Sequence, residues 1–405
     1  MQGHEVQIAT LFVAVALAAW LPCLLPWLAL PAPVLELLLG IAIGPHGLHL
    51  DSNGPAISMF ATLGMAVLFL RAGFEVEPEM VRGRALRLAW KGWLTSAVLA
   101  LVAAGVLMLA GAFAAKAWIW VALALSTTAL GVVQPLLRDR GSLPDGYNQA
   151  LVVAAGFGEV MPTLLLSLVV ARADRLADQV LVILGFSGFC ALLLWLAIRH
   201  RHRWERLLER SMHDSAQLPI RLVMGLLVLM VVIGNLVQIN LVLGALVTGV
   251  LLRFGTSHHH RQALADRLDG LGSGFLIPLF FINSGMRLDF SALARDPLAI
   301  AWIPVVALLM LLVRGGPIWW LQRPWLPQRA RLALALDCGT QLPLVVAIAL
   351  LGLQHQVLSA SQSTLLVAAA MLTVMVFPAA ATKLLRPTDE AAHGSTDRTT
   401  APSHS

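Results

Sequence analysis

The sequence predicts an all-α, polytopic membrane protein of about thirteen transmembrane helices, and three observations carry that prediction. Hydrophobic residues make up 58% of the 405 residues and charged residues only 12%, and the mean hydropathy is +0.80, outside the range of water-soluble globular chains. The apolar residues gather in runs of about twenty, the length a helix needs to cross a bilayer. Lys and Arg fall on alternate loops between those runs, as the positive-inside rule asks of a chain threaded repeatedly through a membrane.

Taken in order, the runs place helices at about 6–25, 29–45, 56–73, 88–112, 117–137, 148–171, 178–198, 218–234, 239–254, 271–287, 298–321, 329–353 and 361–384. No Lys or Arg precedes the first run, so a cleaved signal peptide with a basic start is not expected. The second and ninth, LLLGIAIGP and LVLGALVTG, are short and rich in Gly, which suits tilt or close helix packing. The fifth is interrupted by Ser126-Thr127-Thr128 and the twelfth by Gly339-Thr340-Gln341. The sixth carries Glu159 near its middle, and the eleventh carries Arg314. Residues 1–386 are read as the membrane domain and 387–405, polar and poor in apolar residues, as a disordered cytoplasmic tail.

Twenty-one of the twenty-eight Lys and Arg residues fall on one set of loops and five on the other, with Arg71 and Arg314 inside helices. This puts the N-terminus outside and the C-terminus in the cytoplasm, in a bacterial-type inner membrane. The net charge of +6 then belongs to loops facing anionic lipid, and no nucleic-acid partner is expected. Cys23, Cys190 and Cys338 lie in apolar runs without CxxC spacing, so neither a disulfide nor a metal site is expected. There is no Walker loop, dinucleotide fingerprint or catalytic triad. The chain is not read as an enzyme, and no cofactor is expected.

Sliding the chain against itself by 212 residues sets FLRAGFEVE, at 69–77, on FINSGMRLD, at 281–289, and Ser126-Thr127-Thr128 on Cys338-Gly339-Thr340. The thirteen helices then divide into a repeat at about 6–171, a linker helix at about 178–198 and a second repeat at about 218–384. Seven helices separate counterparts, so the halves insert with opposite orientation. Inverted repeats of this kind form transporters whose site lies near the midplane, where interrupted helices meet.

A carboxylate at membrane depth costs several kcal/mol, roughly 2.5–3.5 on insertion scales, so Glu159 reads as part of an ion or proton pathway, or else as a structural carboxylate tied to an Arg. Unwinding at Ser126 to Thr128 and Gly339 to Gln341 would free carbonyls and hydroxyls to replace cation hydration; the alternative is hydroxyls bonded back to their own helices. Arg314 must find a partner or a water-filled cavity, or snorkel to the headgroups, and it keeps its proton. Asp337 is a second carboxylate at the site or a surface-facing one. Glu36, in the second helix, reads as pinning helix packing, His200 to Arg210 as a linker loop, and His258-His259-His260 as a loop tract.

LELLLGIAIGPHGL at 35–48 resembles the E-x-x-x-G-x-x-x-G-P segment of the monovalent cation:proton antiporters of the second cation/proton antiporter family. LGMAVLFLRAGFEVE, STTALGVVQPLLRD, LGALVTGVLL, FLIPLFFINSGMRLD and the Arg314 helix follow in that family's order. The resemblance implies a sodium/proton antiporter fold, usually a homodimer. Its panel comprises helices one to three and eight to ten, and its moving core helices four to six and eleven to thirteen. It implies that Glu159 binds proton or cation, that the two interruptions form the crossing, and that Arg314, usually Lys, is the compensating base. The chain departs from the family at Gly158, where many members have an acid or amide, and at Gly339-Thr340-Gln341, which lacks the acid of G-E-F. The nucleotide-binding regulatory domain of the potassium-efflux members is not expected in this chain. The resulting expectation is a secondary antiporter of Na⁺ or K⁺ against H⁺, electroneutral because one carboxylate serves both ions. The alternatives are a channel-like cation permease and a non-transporting subunit of the same fold.

Overall fold

The computed structural model describes residues 2–24, 30–48, 55–75, 83–133, 143–170, 218–236, 241–256, 258–295 and 297–385, with isolated helical positions between 185 and 199. All its regular elements are helices: α1 (Gln2–Leu24), α2 (Ala32–Ile43), α3 (Pro55–Phe74), α4 (Gly83–Leu109), α5 (Trp118–Leu125), α6 (Tyr147–Val170), α7 (Leu218–Leu236), α8 (Leu241–Gly255), α9 (His258–Leu271), α10 (Ile277–Met286), α11 (Phe290–Ala294), α12 (Pro297–Leu321), α13 (Gln328–Gly339), α14 (Pro343–Gln354) and α15 (Ala360–Leu385). Among the described residues, seven stretches are long and apolar enough to cross a membrane, counting each interrupted crossing as one, and four more helices are apolar but shorter. The chain is an integral membrane protein. The seventh expected span and the 387–405 tail lie outside the described residues, apart from those isolated helical positions.

One expectation is corrected. His258 to His260 do not lie in a loop; they open α9, a polar helix that runs through a π turn at Gly272–Leu276 into α10. The Ile277 N–H reaches back five residues to Gly272 O, the widened turn that defines π geometry. α9 has no apolar run, so a search for membrane spans passes over it.

The helices pack as two groups. α1, α2, α3, α7, α8, α9 and α10 contact mainly one another, and α4, α5, α6, α12, α13, α14 and α15 do the same. The first group closes on backbone contact. A Cβ at Gly73 or Gly249 would overlap the facing α8 or α3 backbone, and one at Gly40 or Gly285 the facing α10 or α2 backbone. Small residues let membrane helices approach this closely, where dispersion rather than the hydrophobic effect holds them. Gly73 and Gly285, one in each of these contacts, lie 212 residues apart.

Both crossing helices break where polar side chains can take over backbone bonds. α5 stops at Leu125, and the Ser126 and Thr127 hydroxyls donate back to Leu123 O (2.9 Å) and Ala124 O (3.0 Å), occupying carbonyls that a helix end leaves open. Residues 126–129 are non-helical and the chain coils again at 130–133. α13 ends at Gly339, Thr340 is extended (φ −73°, ψ 122°), and α14 restarts at Pro343. Proline disfavours helix at Leu342 before it and suits the first position of the helix after it.

Candidate ion-binding site

The two breaks lie against each other and against the middle of α6. Ala129 N donates to Thr340 O at 2.8 Å, Thr128 Oγ1 to Cys338 O at 2.8 Å, and Thr127 Oγ1 to Gln341 Oε1 at 3.1 Å. Gln341 Nε2 closes on Leu125 O at 3.1 Å, and Thr373 Oγ1 of α15 accepts from Gln341 N at 3.0 Å. α6 is tied in by its own defect. Pro162 has no N–H, so Gly158 O lacks its partner four residues on, and Thr128 N–H takes that place at 3.0 Å.

Arg314 fills one side of this crossing and is 1% exposed. Its Nε donates to Thr128 Oγ1 (2.8 Å), its Nη1 to Ser96 Oγ (3.3 Å) and its Nη2 to Ala154 O (2.9 Å). The guanidinium sits where α5 and α13 both end, so it meets the negative ends of two half-helices. It does not snorkel, and among the described residues it makes no ion pair with a carboxylate. A Cβ on Gly158 would overlap Arg314 Nη2 and lie 2.6 Å from Thr128 Oγ1. The absent side chain at 158 and the long base at 314 therefore share one space.

Glu159 faces the other way. It is 8% exposed and lines a cavity of about 310 Å³ with Glu36, Arg71, Glu75, Gly131, Val132 and Pro343 among its walls. The Leu130 N–H, at the restart after the first break, lies close to its carboxyl, and the Pro343 restart of α14 borders the same space. The carboxylate thus meets the positive ends of the second half-helices, as the guanidinium meets the negative ends of the first. The cavity runs between the two helix groups to exposed Ala32 and Ser273 at one end of the bundle. At its rim Arg71 Nε lies 3.3 Å from Glu75 Oε1 and 3.1 Å from Asp269 Oδ1, and Nη1 donates to Ser273 Oγ at 2.5 Å. At the opposite end the groups meet: Asp289 N, just past α10, donates to Thr364 Oγ1 of α15 at 3.1 Å, while within the first group His46 Nδ1 lies 3.6 Å from Asp289 Oδ1.

The residues expected from sequence are thus divided. Ser126, Thr127, Thr128, Gly339, Thr340 and Gln341 build the crossing but do not wall the Glu159 cavity, and Thr340 Oγ1 donates back to Leu336 O at 3.1 Å. Asp337 is fully buried, which excludes a surface-facing role, but it lies off the cavity, its Oδ2 accepting from Tyr147 OH at 2.7 Å. Residues 337 and 339 are about 200° apart around a helix, so proximity in sequence put them on different faces. The carboxylates that share the cavity with Glu159 are Glu36 and Glu75. Sequence reasoning passed over Glu75, although an Arg71–Glu75 pair spaced by four at a helix end is a readable signal.

A family model described as sodium/hydrogen exchanger, transmembrane, matches residues 12–386. YjbQ of Bacillus subtilis (strain 168), which carries the name of a Na⁺/H⁺ antiporter, is 26% identical over 396 residues, covering 94% of this chain and 63% of its own. The glutathione-regulated potassium-efflux system protein KefC of Escherichia coli (strain K12) is 26% identical over 325 residues, covering 76% and 50%. The chain therefore spans only part of the length of these relatives. In fold it is similar to the sodium proton antiporter MjNhaP1 of Methanocaldococcus jannaschii, with a TM-score of 0.66 at 15% identity over 97% of this chain and 98% of that one.

Proposed function

The chain belongs to the sodium/hydrogen exchanger family, and we propose that it is a secondary antiporter exchanging a monovalent cation, Na⁺ or K⁺, for H⁺ by alternating access. The observation that carries the reading is a buried carboxyl, Glu159, opening on a cavity between two helix groups that meet at the far end through Asp289 and Thr364. Glu159 binds either a proton or the cation. The two compete, and an empty ionised carboxylate is held back from crossing by the cost of moving bare charge through low dielectric. With one carboxyl exchanging one ion for the other, transport is electroneutral.

In this reading the group containing α4–α6 and α12–α15 is the moving core and the other group the panel of a homodimer. The described conformation is open to the cytoplasm, the side given by the Arg-rich loops, in a bacterial inner membrane. Residues 6–171 and 218–384 are the inverted repeats, and the crossing residues Ser126 to Thr128 and Gly339 to Gln341 hold the half-helix ends around the ion. Arg314 is a fixed countercharge to those ends. Na⁺-, K⁺- or Li⁺-induced proton movement in proteoliposomes with an internal pH dye tests this. Wild type should move protons and Glu159→Gln should not. Flux that survives in Glu159→Gln moves the carrier elsewhere, pH-independent cation flux indicates a channel-like permease, and no flux in wild type indicates a non-transporting subunit.

A further inference from the structure

Glu36 has no part in the mechanism above, and its surroundings do not explain it as a packing residue. It lies in the second turn of α2 between Leu35 and Leu37, is 6% exposed, and makes no hydrogen bond or ion pair to any described residue. α2 is held to α10 through the backbone contact at Gly40 and Gly285, which needs no carboxyl. A buried carboxyl without a partner costs stability and supplies no bond in return.

What Glu36 does have is space. It walls the same 310 Å³ cavity as Glu159, but from the opposite helix group. Among the described residues, the charged side chains facing that cavity are Glu36, Glu75 and Glu159 against Arg71 alone, and Arg71 is engaged at the rim by Glu75 and Asp269. α10, packed along α2, adds no charged side chain. Three carboxyls facing one engaged guanidinium draw cations into the cavity. A partnerless carboxyl at this depth has two neutral states, one with a proton bound and one with a cation bound.

Resting on the antiporter reading, we propose that Glu36 is a second ion-binding carboxyl, which takes a monovalent cation or a proton on the static side of the cavity and passes it to Glu159. Glu36 stays with the panel when the core moves. It therefore serves only the side to which the cavity opens, and transport in the two directions differs in cation affinity.

The test is equilibrium binding of ²²Na⁺ and ⁸⁶Rb⁺ to the purified full chain, run beside cation-induced proton flux in proteoliposomes. Glu159→Gln should still bind cation although it transports none, and the double variant Glu36→Gln/Glu159→Gln should lose that remaining binding. In flux, Glu36→Gln should raise the half-saturating cation concentration by about threefold or more. Absence of cation binding in Glu159→Gln, or an unchanged half-saturation in Glu36→Gln, overturns the assignment. If Glu36→Gln does not purify, Glu36→Asp carries the test: a shorter carboxylate should weaken binding, and unchanged affinity overturns the proposal. A wild type that moves no protons defeats the antiporter reading, while the binding series still decides for or against Glu36.

Discussion

Arg314 and Glu159 are opposite charges meeting the same turn of α6, and the protein treats them in opposite ways. Arg314 is bonded through Nε, Nη1 and Nη2 to Thr128, Ser96 and Ala154. Glu159 has a cavity, with the Leu130 N–H near its carboxyl. A cavity of about 550 Å³, lined by Trp93, Asp145, Gln149 and Gln322, also reaches Arg314 from its own side of α6, so open space alone does not separate the two. Bonding does. A charge held by fixed dipoles is part of the scaffold, whereas a charge left short of partners is available for exchange.

That contrast is broken most severely at Glu159. Glu159→Gln keeps the shape and removes the titratable group, so cation-dependent proton flux should fall by at least about 100-fold, with ΔΔG‡ of about 2.7 kcal/mol or more. The thermal midpoint in detergent should stay close to wild type. Arg314→Met should show the reverse priority. It removes three charge-assisted bonds and leaves two half-helix ends without their countercharge, a loss of about 2–4 kcal/mol visible as a lower melting midpoint before any flux is measured. If Arg314→Met melts like wild type but stops transport, the division between scaffold and exchange charge is wrong.

Gly158→Ala sharpens the comparison from the other side. The new methyl overlaps Arg314 Nη2 and Thr128 Oγ1, and overpacking a filled site costs about 1–3 kcal/mol. Shortening the base relieves the overlap, so the Gly158→Ala/Arg314→Lys pair should melt above Gly158→Ala alone. Additive losses in the double variant would mean that the two positions do not share space.

The elements of this arrangement were readable from sequence to different depths. Spans such as Tyr147–Val170 announce themselves because about twenty consecutive apolar residues have few other uses. The two breaks were placed to within a residue or two, because Ser-Thr-Thr and Gly-Thr-Gln interrupt apolar helices and Pro343 fixes where the second restarts. Glu159 and Arg314 stood out as charges in apolar surroundings. Their partners did not, since Thr128, Ser96 and Ala154 converge on Arg314 from three separate segments, the first break, α4 and α6, and no local pattern records that. α9 was passed over because its sequence is polar. Glu36 carried a motif but not its meaning: the sequence shows a carboxyl in an apolar helix, and only the packing shows that it has no partner among the described residues.

The smallest expected effect tests the joint between the two regions. Pro162 leaves Gly158 O free for Thr128 N–H at 3.0 Å, which ties the first crossing break to the turn that carries both Gly158 and Glu159. Pro162→Ala restores an N–H that competes for that carbonyl and straightens the helix locally. Overall stability should change by less than about 1 kcal/mol, because a regained helical bond offsets a weakened tertiary one. Amide hydrogen exchange of residues 126–129 should nonetheless quicken, as these residues depend on tertiary partners rather than on a helical ladder. Unchanged exchange there would mean that the crossing is held by Cys338 O, Thr340 O and Gln341 alone, and that α6 rests against it without helping to shape it.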